Sequence, residues 1–158
     1  MKAPLSLILV TVFAATSRDS QAASSPPDPL SVAGCYTLKL GAWQPRVELG
    51  GDEAFITPPS HVELRATKGT EGWSKGHYTL LPAFGGTALH SGMFWHFTKG
   101  RDIQLEFTTG YCGLTMALHR VGENLSGSAE SFWDDFRRPH QTAKVVATRV
   151  PCQQRPSK

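Results

Sequence analysis

Apolar and polar residues alternate along most of the chain with a period of two. The alternation recurs in eight segments, which are residues 36–40, 61–66, 77–80, 93–98, 103–108, 114–119, 125–130 and 143–148. Because successive side chains of a strand point to opposite faces of a sheet, each segment predicts a strand with one apolar face. No window of about 11 residues or longer carries the apolar stripe of a helix. The sequence therefore predicts an all-β protein.

Short turns join most of these segments, and two connections are long. Residues 99–102 and 121–124 contain glycine and suit tight hairpins. The long connections are residues 41–60, between the first two strands, and residues 131–141, between the last two. Loops of this length in compact domains are usually functional or disordered. Since consecutive antiparallel strands alternate in direction, both long loops are expected to emerge at the same end.

Eight consecutive antiparallel strands with one apolar face can close into an up-and-down barrel. Closure removes the exposed edges that would otherwise pair with other chains. We therefore predict an eight-stranded antiparallel barrel over residues 34–152, and the alternative is a two-sheet β-sandwich. In such a barrel the end of the last strand lies beside the start of the first, which brings Cys152 next to Cys35. The barrel and a Cys35–Cys152 disulfide thus support each other, whereas Cys112, in phase with apolar strand residues, is expected to be a buried free thiol.

The first 23 residues have the features of a secretory signal peptide. Lys2 precedes an unbroken run of small or apolar residues at 5–15, and small residues precede a cleavage point after Ala22 or Ala23. The run is shorter than the roughly 20 residues that span a bilayer. Export would place the mature chain in an oxidising compartment, so we expect a secreted or periplasmic protein with a lasting disulfide. No second long apolar run follows, so no integral membrane segment is expected after cleavage.

The segments that flank the barrel are polar and rich in proline or charge. Residues 24–33 predict a flexible Pro/Ser-rich N-terminal tail, and residues 153–158 predict a disordered C-terminal tail. Val32-Ala33-Gly34-Cys35 has the form of a lipobox, the signal for acylation of a cysteine. Charged and proline residues separate it from the apolar run, which disfavours a lipoprotein anchored at Cys35.

Charge is sparse in this chain of 158 residues. Charged residues make up 18%, hydrophobic residues 40%, and the formal net charge is +3. That composition excludes a disordered chain and a long coiled coil. The weak positive balance gives no basis for a nucleic-acid partner.

The sequence resembles the lipocalin/calycin superfamily in five features. These are a secretory leader, Gly34-Cys35-Tyr36 at the start of strand one, a long first loop, short connections after it and a terminal cysteine. The resemblance covers the mature domain as a pattern. It places Gly34 and Tyr36 where the family has a Gly-x-Trp motif, and it leaves Arg149 as the counterpart of the last-strand arginine that packs on that tryptophan. It implies a barrel with a closed end, an open mouth and a site for a small apolar ligand.

The inward-facing side chains are the candidate lining of such a site. They are Tyr36, Leu38, Leu64, Tyr78, Met93, Trp95, Phe97, Phe107 and Met116. The alternative is that they simply fill the barrel, because an interior of eight strands can be packed or can hold one small ligand. The function expected first is an exported binding module for a small apolar or amphipathic ligand.

Aromatic side chains in the two long loops form a candidate mouth or partner surface. They are Trp43 and Phe55 in the first loop and Phe132, Trp133 and Phe136, followed by Arg137, in the last. Aromatic residues flanked by charge are typical of recognition surfaces. The alternative function is therefore a protein-interaction or inhibitor module that binds an envelope or extracellular protein through residues 132–138. Another interpretation is that this loop plugs one end of the barrel.

Catalytic and metal-binding signatures are missing from the sequence. It contains no nucleophile elbow, no His-Glu-x-x-His motif and no phosphate-binding glycine loop. The histidines are scattered without ligand spacing, so we predict no metal ion, no cofactor and no catalytic residue. One remote hypothesis is a barrel isomerase or hydrolase that uses Glu106 with His96, and it requires the two side chains to converge in a pocket.

Overall fold

The computed structural model describes residues 27–45, 57–82, 92–134 and 140–152. Its strands are β1 (Gly34–Leu40), β2 (His61–Lys68), β3 (Tyr78–Pro82), β4 (Gly92–Phe97), β5 (Ile103–Thr108), β6 (Cys112–Val121), β7 (Asn124–Trp133) and β8 (Thr142–Val150). Two short 3-10 helices, Pro29–Ser31 and Gly72–Ser74, precede β1 and β3. Over these ranges no helix is long and apolar enough to cross a membrane.

The strands close into a single antiparallel barrel. Each strand pairs with its neighbours in the chain, and β8 returns to pair with β1. The predicted up-and-down barrel is thereby confirmed over the sandwich. The longest ladder joins β6 to β7 and includes Phe132 and Trp133, which pair with Gly113 and Cys112. These two aromatic residues, predicted to lie in the last loop, are therefore the final residues of β7.

The two ends of the barrel differ in what they carry. One end, here called the cysteine end, holds the start of β1, the end of β8 and the Cys35–Cys152 disulfide, whose Cα atoms are 5.2 Å apart. This confirms the predicted pairing. The opposite end, here called the loop end, carries the β1–β2, β3–β4, β5–β6 and β7–β8 connections.

Residues before β1 cover the cysteine end. The Asp28 carboxylate accepts a hydrogen bond from the Leu30 amide at 3.0 Å and caps the first 3-10 helix. Val32 is 2% exposed, and its carbonyl accepts a hydrogen bond from the Tyr36 hydroxyl at 2.8 Å. Val32, which belongs to the expected N-terminal tail, therefore packs on the barrel, whereas Leu30 in the same segment is 70% exposed.

Arg149 ties the last strand to the start of the first. Its Nη2 donates to the Ala33 carbonyl at 2.8 Å, and its guanidinium lies 5.8 Å from the centre of the Tyr36 ring. Gly34 has a φ of 149°, and a Cβ added there would lie 3.0 Å from Arg149 Nη2. Glycine at this position permits both the backbone conformation and the close approach of the guanidinium.

Replacing this arginine is expected to loosen the cysteine end. Arg149→Met keeps much of the side-chain length but removes the hydrogen bond to Ala33 and the cation over Tyr36, so the free energy of unfolding should fall by about 1–3 kcal/mol. Urea denaturation measures the change. The control is Arg65→Met, because the Arg65–Glu63 ion pair has side chains 46% and 26% exposed and such pairs contribute only about 0–1 kcal/mol. Equal losses in the two variants would contradict a special role for Arg149.

One cluster of buried apolar side chains occupies the barrel. Its members are Val32, Tyr36, Leu38, Val62, Leu64, Leu80, Trp95, Ile103, Leu105, Phe107, Leu114, Met116, Leu118, Leu125, Ala129, Val145 and Ala147. Most come from the apolar phase of the eight alternating segments, so the period of two assigns inner and outer faces correctly. Burial of this surface is the main favourable contribution to folding.

Trp95 is the largest side chain at the centre of the cluster. It is 0% exposed, it stacks on Tyr78 with ring centres 4.5 Å apart, and Phe97 meets it edge to face. The Trp95 indole N–H donates to the Arg65 carbonyl at 3.0 Å. The pairing of β2 with β3 shifts register between Leu64 and Lys68, and the indole bonds to a carbonyl within that irregular stretch.

The two long loops meet at the loop end, as the alternation of strand direction predicts. Gln44 and Thr142 exchange two backbone hydrogen bonds, each of 2.8 Å. The Gln141 side chain donates to the Pro45 carbonyl at 2.6 Å. The start of the first loop thus continues the pairing of β1 with β8.

Candidate functional site

The nine side chains predicted to line a ligand site all belong to the core or pack against it. Tyr36, Leu38, Leu64, Trp95, Phe107 and Met116 are buried, and Tyr78, Met93 and Phe97 are partly buried. Trp95, Phe107 and Met116 are 0% exposed, so no space as large as a water molecule adjoins them in the described part of the barrel. These three side chains fill the interior around them, whereas Met93 also reaches an open groove.

The wall of the barrel is least continuous between β3 and β4. Over the described residues these strands pair at only two positions, Tyr78 with Trp95 and Thr79 with Phe94. Pro82 still pairs with β2, and Gly92 still pairs with β5. The two strands therefore stay attached to their outer neighbours but separate from each other toward the loop end.

An open groove of about 430 Å³ lies at this split. We call it the seam groove. Its apolar lining comes from Trp73, Leu80, Leu81, Pro82 and Met93, and Glu71, Ser74 and Thr79 contribute polar atoms. Leu80 and Met93 belong to the inner phase of their strands, so the groove reaches side chains of the core.

Trp73 forms one side of the seam groove and was not singled out by the sequence pattern. It lies on the second 3-10 helix, within the β2–β3 connection, and is 60% exposed. A Cβ at Gly92 would lie 3.2 Å from Trp73 Cβ, and one at Gly110 would lie 3.6 Å from Trp73 Cζ2. The indole therefore extends from β4 to the β5–β6 turn, where two glycines leave room for it. The available signal was a tryptophan inside a glycine-punctuated turn.

Three rings lie side by side on the outer face of the seam. The His77 ring stacks on Phe94 with centres 4.6 Å apart, and it lies 5.1 Å from the His96 ring. His96 Nδ1 is buried and has no hydrogen-bond partner among the described residues. Burial lowers the pKa of His96, and the nearby His77 lowers it further, while Glu106 acts in the opposite direction.

Glu106 and His96, the remote enzymatic pair, both lie on the outer face of adjacent strands. Glu106 pairs with Phe94, and Gln104 pairs with His96. The Glu106 carboxylate accepts hydrogen bonds from Gln104 Nε2 at 2.5 Å and from Thr115 Oγ1 at 2.8 Å. The two side chains are on the outside of the barrel, and Glu106 is held by structural hydrogen bonds.

The predicted mouth residues are only partly described. Trp43 packs against the core, the Phe132 ring covers the backbone of Gly113, and Trp133 is half-buried at the end of β7. Phe55, Phe136 and Arg137 lie outside the described residues. Neighbouring Tyr111 is 75% exposed, and its carbonyl accepts a hydrogen bond from the Asp134 amide at 2.7 Å.

A second open cavity, of about 350 Å³, lies on another part of the wall. It is lined by residues 41, 42 and 44 together with Ser128, Ala143 and Lys144. It has no aromatic side chain in its lining, unlike the seam groove, and so offers no flat surface on which a ring could stack.

Over the described residues, the side chains that could bind a metal ion do not cluster into a metal site. The described ranges contain no group of three or more His, Cys, Asp or Glu side chains that could hold a metal ion. Cys112 is a free, half-buried thiol whose Sγ lies 3.3 Å from Thr109 Oγ1. No protein-family model, no curated protein and no solved structure matches this chain.

Proposed function

We propose that this protein is a binding module for a small apolar or amphipathic ligand and that the ligand occupies the seam groove. The observation that carries the proposal is the size and lining of the groove, about 430 Å³ with mostly apolar walls and a few polar groups. Ligand sites in proteins typically measure about 300–1,000 Å³ and have this mixed character.

The lining favours a flat apolar ligand with one polar end. Trp73 offers an exposed indole face, and Leu80 and Met93 continue that apolar surface toward the core. Glu71 and Ser74 are near Trp73 in the chain and line the same groove. A hydroxyl or amine on the ligand could donate to the Glu71 carboxylate while its apolar body stacks on the indole.

Features of the cysteine end support a lipocalin-like arrangement and an exported protein. Arg149 lies over Tyr36 and bonds to Ala33, which joins the last strand to the first across a covered end. The Cys35–Cys152 disulfide suits an oxidising compartment. The proposed site differs from a central barrel cavity because it opens through the wall between two strands.

Removing the indole is expected to weaken ligand binding. Wild type should raise the fluorescence of a neutral apolar probe, N-phenyl-1-naphthylamine, and Trp73→Ala should raise the probe's Kd about tenfold, since the loss of one aromatic contact surface is about 1.5 kcal/mol. The matched control is Tyr111→Ala, which removes another exposed aromatic side chain at the loop end that does not line the groove.

Thermal denaturation of all three proteins checks that folding is unchanged, because both substituted residues are mostly exposed. No saturable binding of the probe by the wild type, or equal weakening in the two variants, would refute the seam groove as the site for this class of ligand.

A further inference from the structure

Two histidines face each other across the β3–β4 seam, next to the end of its short ladder. His77 directly precedes β3, and His96 belongs to β4. The pairing of Tyr78 with Trp95 and of Thr79 with Phe94 places His77 directly opposite His96. The two imidazole centres are 5.1 Å apart, and His77 also stacks on Phe94 with centres 4.6 Å apart. These rings contact each other across the outer face of the seam, beside the two residue pairs that the structure describes between β3 and β4.

We propose that His77 and His96 form an acid-operated latch that holds the β3–β4 seam closed at neutral pH and releases it on acidification. As regulation of the seam groove, the latch rests on the proposed function. The latch itself, as a property of the barrel wall, is supported independently by the ring geometry and by the short β3–β4 ladder. The groove and the latch share β3 and β4, so separation of these strands changes the groove directly.

Neutral and charged imidazoles have opposite effects at this distance. Two neutral rings pack against Phe94 as flat, weakly polar groups. Two imidazolium rings about 5 Å apart repel each other, and partial burial weakens the screening that water would provide. Repulsion between the rings acts on the strands that, over the described residues, are joined by the fewest residue pairs.

The environment of His96 disfavours its charged form. A protonated ring carries N–H donors at both nitrogens, and His96 Nδ1 is buried with no acceptor among the described residues. A buried donor without a partner loses its hydration and gains nothing in exchange. Opening of the seam would return this nitrogen to water.

The charged groups around the pair do not cancel this effect. On the elements packed against the seam they are Glu106 on β5, Glu63, Arg65 and Lys68 on β2, and Glu71 and Lys75 in the turn before His77. Glu106 favours a charged His96, but its oxygens accept hydrogen bonds from Gln104 and Thr115. Arg65 is paired with Glu63.

The direction of the pH effect follows from the lowered pKa of His96. Its pKa in the closed state lies below the ordinary value of 6.5 because of burial and the nearby His77. An opened or unfolded seam therefore binds more protons than the closed one in this window, and the closed state gains stability as pH rises. That stability is present above pH 6.5 and is lost as pH falls toward and through the lowered pKa.

Amide hydrogen exchange at pH 7.5 and pH 5.0 tests the latch. Rates are divided by the intrinsic exchange rate at each pH, and amides of the long β6–β7 ladder serve as the internal reference. Adjacent pairs of an antiparallel ladder alternate between hydrogen-bonded and non-hydrogen-bonded, so the reporters are those amides of Tyr78, Thr79, Phe94 and Trp95 that donate across the seam. In the wild type, the protection of these amides relative to the reference should fall about tenfold or more at pH 5.0. In the double variant His77→Phe/His96→Phe, which keeps flat rings that cannot take up protons, the relative protection should be the same at both pH values.

His119→Phe is the matched control, because this exposed histidine lies on β6 away from the seam, and it should retain the wild-type response. If the double variant does not fold, His77→Phe alone is expected to reduce the response, because it removes one of the two repelling charges. A wild-type seam equally protected at both pH values, or an unchanged response in the double variant, would overturn the latch.

Binding of the neutral probe separates the latch from the proposed function. Probe binding that weakens at pH 5.0 in the wild type but not in the double variant supports both. A pH-dependent seam in a protein that binds no probe at either pH supports the latch and refutes the ligand site. Probe binding with a seam that does not respond to pH refutes the latch and leaves the ligand site standing.

Discussion

Loss of the Cys35–Cys152 disulfide is expected to lower the free energy of unfolding by about 4–5 kcal/mol. The bond joins residues separated by 117 positions, and in the chain-entropy model a loop of that length restricts the unfolded chain by about this amount. It also sits where β1 and β8 complete the barrel, so its loss affects the closure of the sheet as well as the unfolded ensemble.

The measurement is guanidinium denaturation of the oxidised wild type, the reduced wild type and Cys152→Ser. Cys35 is 3% exposed, so substitution of Cys152, which is exposed, separates loss of the bond from disturbance of the core. Cys112→Ser is the control and should keep a midpoint that shifts with reductant. Coincident denaturation curves for the oxidised and reduced wild type would contradict the expectation.

Trp95→Ala is expected to lower the free energy of unfolding by about 3–5 kcal/mol, the usual range for removal of a large buried aromatic side chain. The variant loses the stacking on Tyr78, leaves a cavity beside Phe97 and removes the donor that satisfies the Arg65 carbonyl. Trp95→Phe should be less severe, because it keeps a ring while leaving that carbonyl without the indole.

Trp73→Ala provides the comparison for this experiment, since its indole is 60% exposed and Trp95 is 0% exposed. The free energy of unfolding of Trp73→Ala should change by no more than about 0.5 kcal/mol. A Trp95→Ala protein as stable as the wild type would show that this side chain is dispensable for the core and would reopen its assignment as part of a ligand wall.

The fold could be predicted from the sequence because its two main determinants are local or simple to read. Alternation of apolar and polar residues assigned each strand its inner face, and residues such as Leu105 and Met116 are buried as that phase requires. The positions of Cys35 and Cys152 then distinguished a closed barrel from an open sheet. Both features depend on chain order and strand direction, which the sequence contains.

The alternation of apolar and polar residues did not predict where β7 ends or that Val32, before β1, packs on the barrel. The sequence pattern predicts a loop at Phe132 and Trp133, but β6 continues opposite them and supplies partners as far as Cys112. The proline-rich sequence before Val32 predicts a flexible tail, yet Val32 is buried and its carbonyl accepts a hydrogen bond from the Tyr36 hydroxyl. In each case a distant segment determines the conformation.

The candidate site was harder to predict, because it depends on the length of the β3–β4 ladder and on the volume left between side chains of different strands. The alternation of apolar and polar residues correctly predicts that Met93 and Trp95 face inward. It does not give the volume of the space left between inward-facing side chains. The seam groove exists because β3 and β4 pair at only two described positions. Trp73 reaches it because glycines at the start of β4 and in the β5–β6 turn leave room for the indole. Neither condition is visible within a single segment.

The number of residue pairs that hold neighbouring strands together differs around the barrel. Between β1 and β8 the ring is held by six residue pairs and a covalent staple, whereas between β3 and β4 two described pairs hold it. The weakest described strand pairing of this closed barrel therefore lies in the middle of the chain and not where its first and last strands meet. We therefore expect local opening of the sheet to occur first at this seam, which would let a ligand of the proposed site enter through the wall while the other strand pairs stay joined.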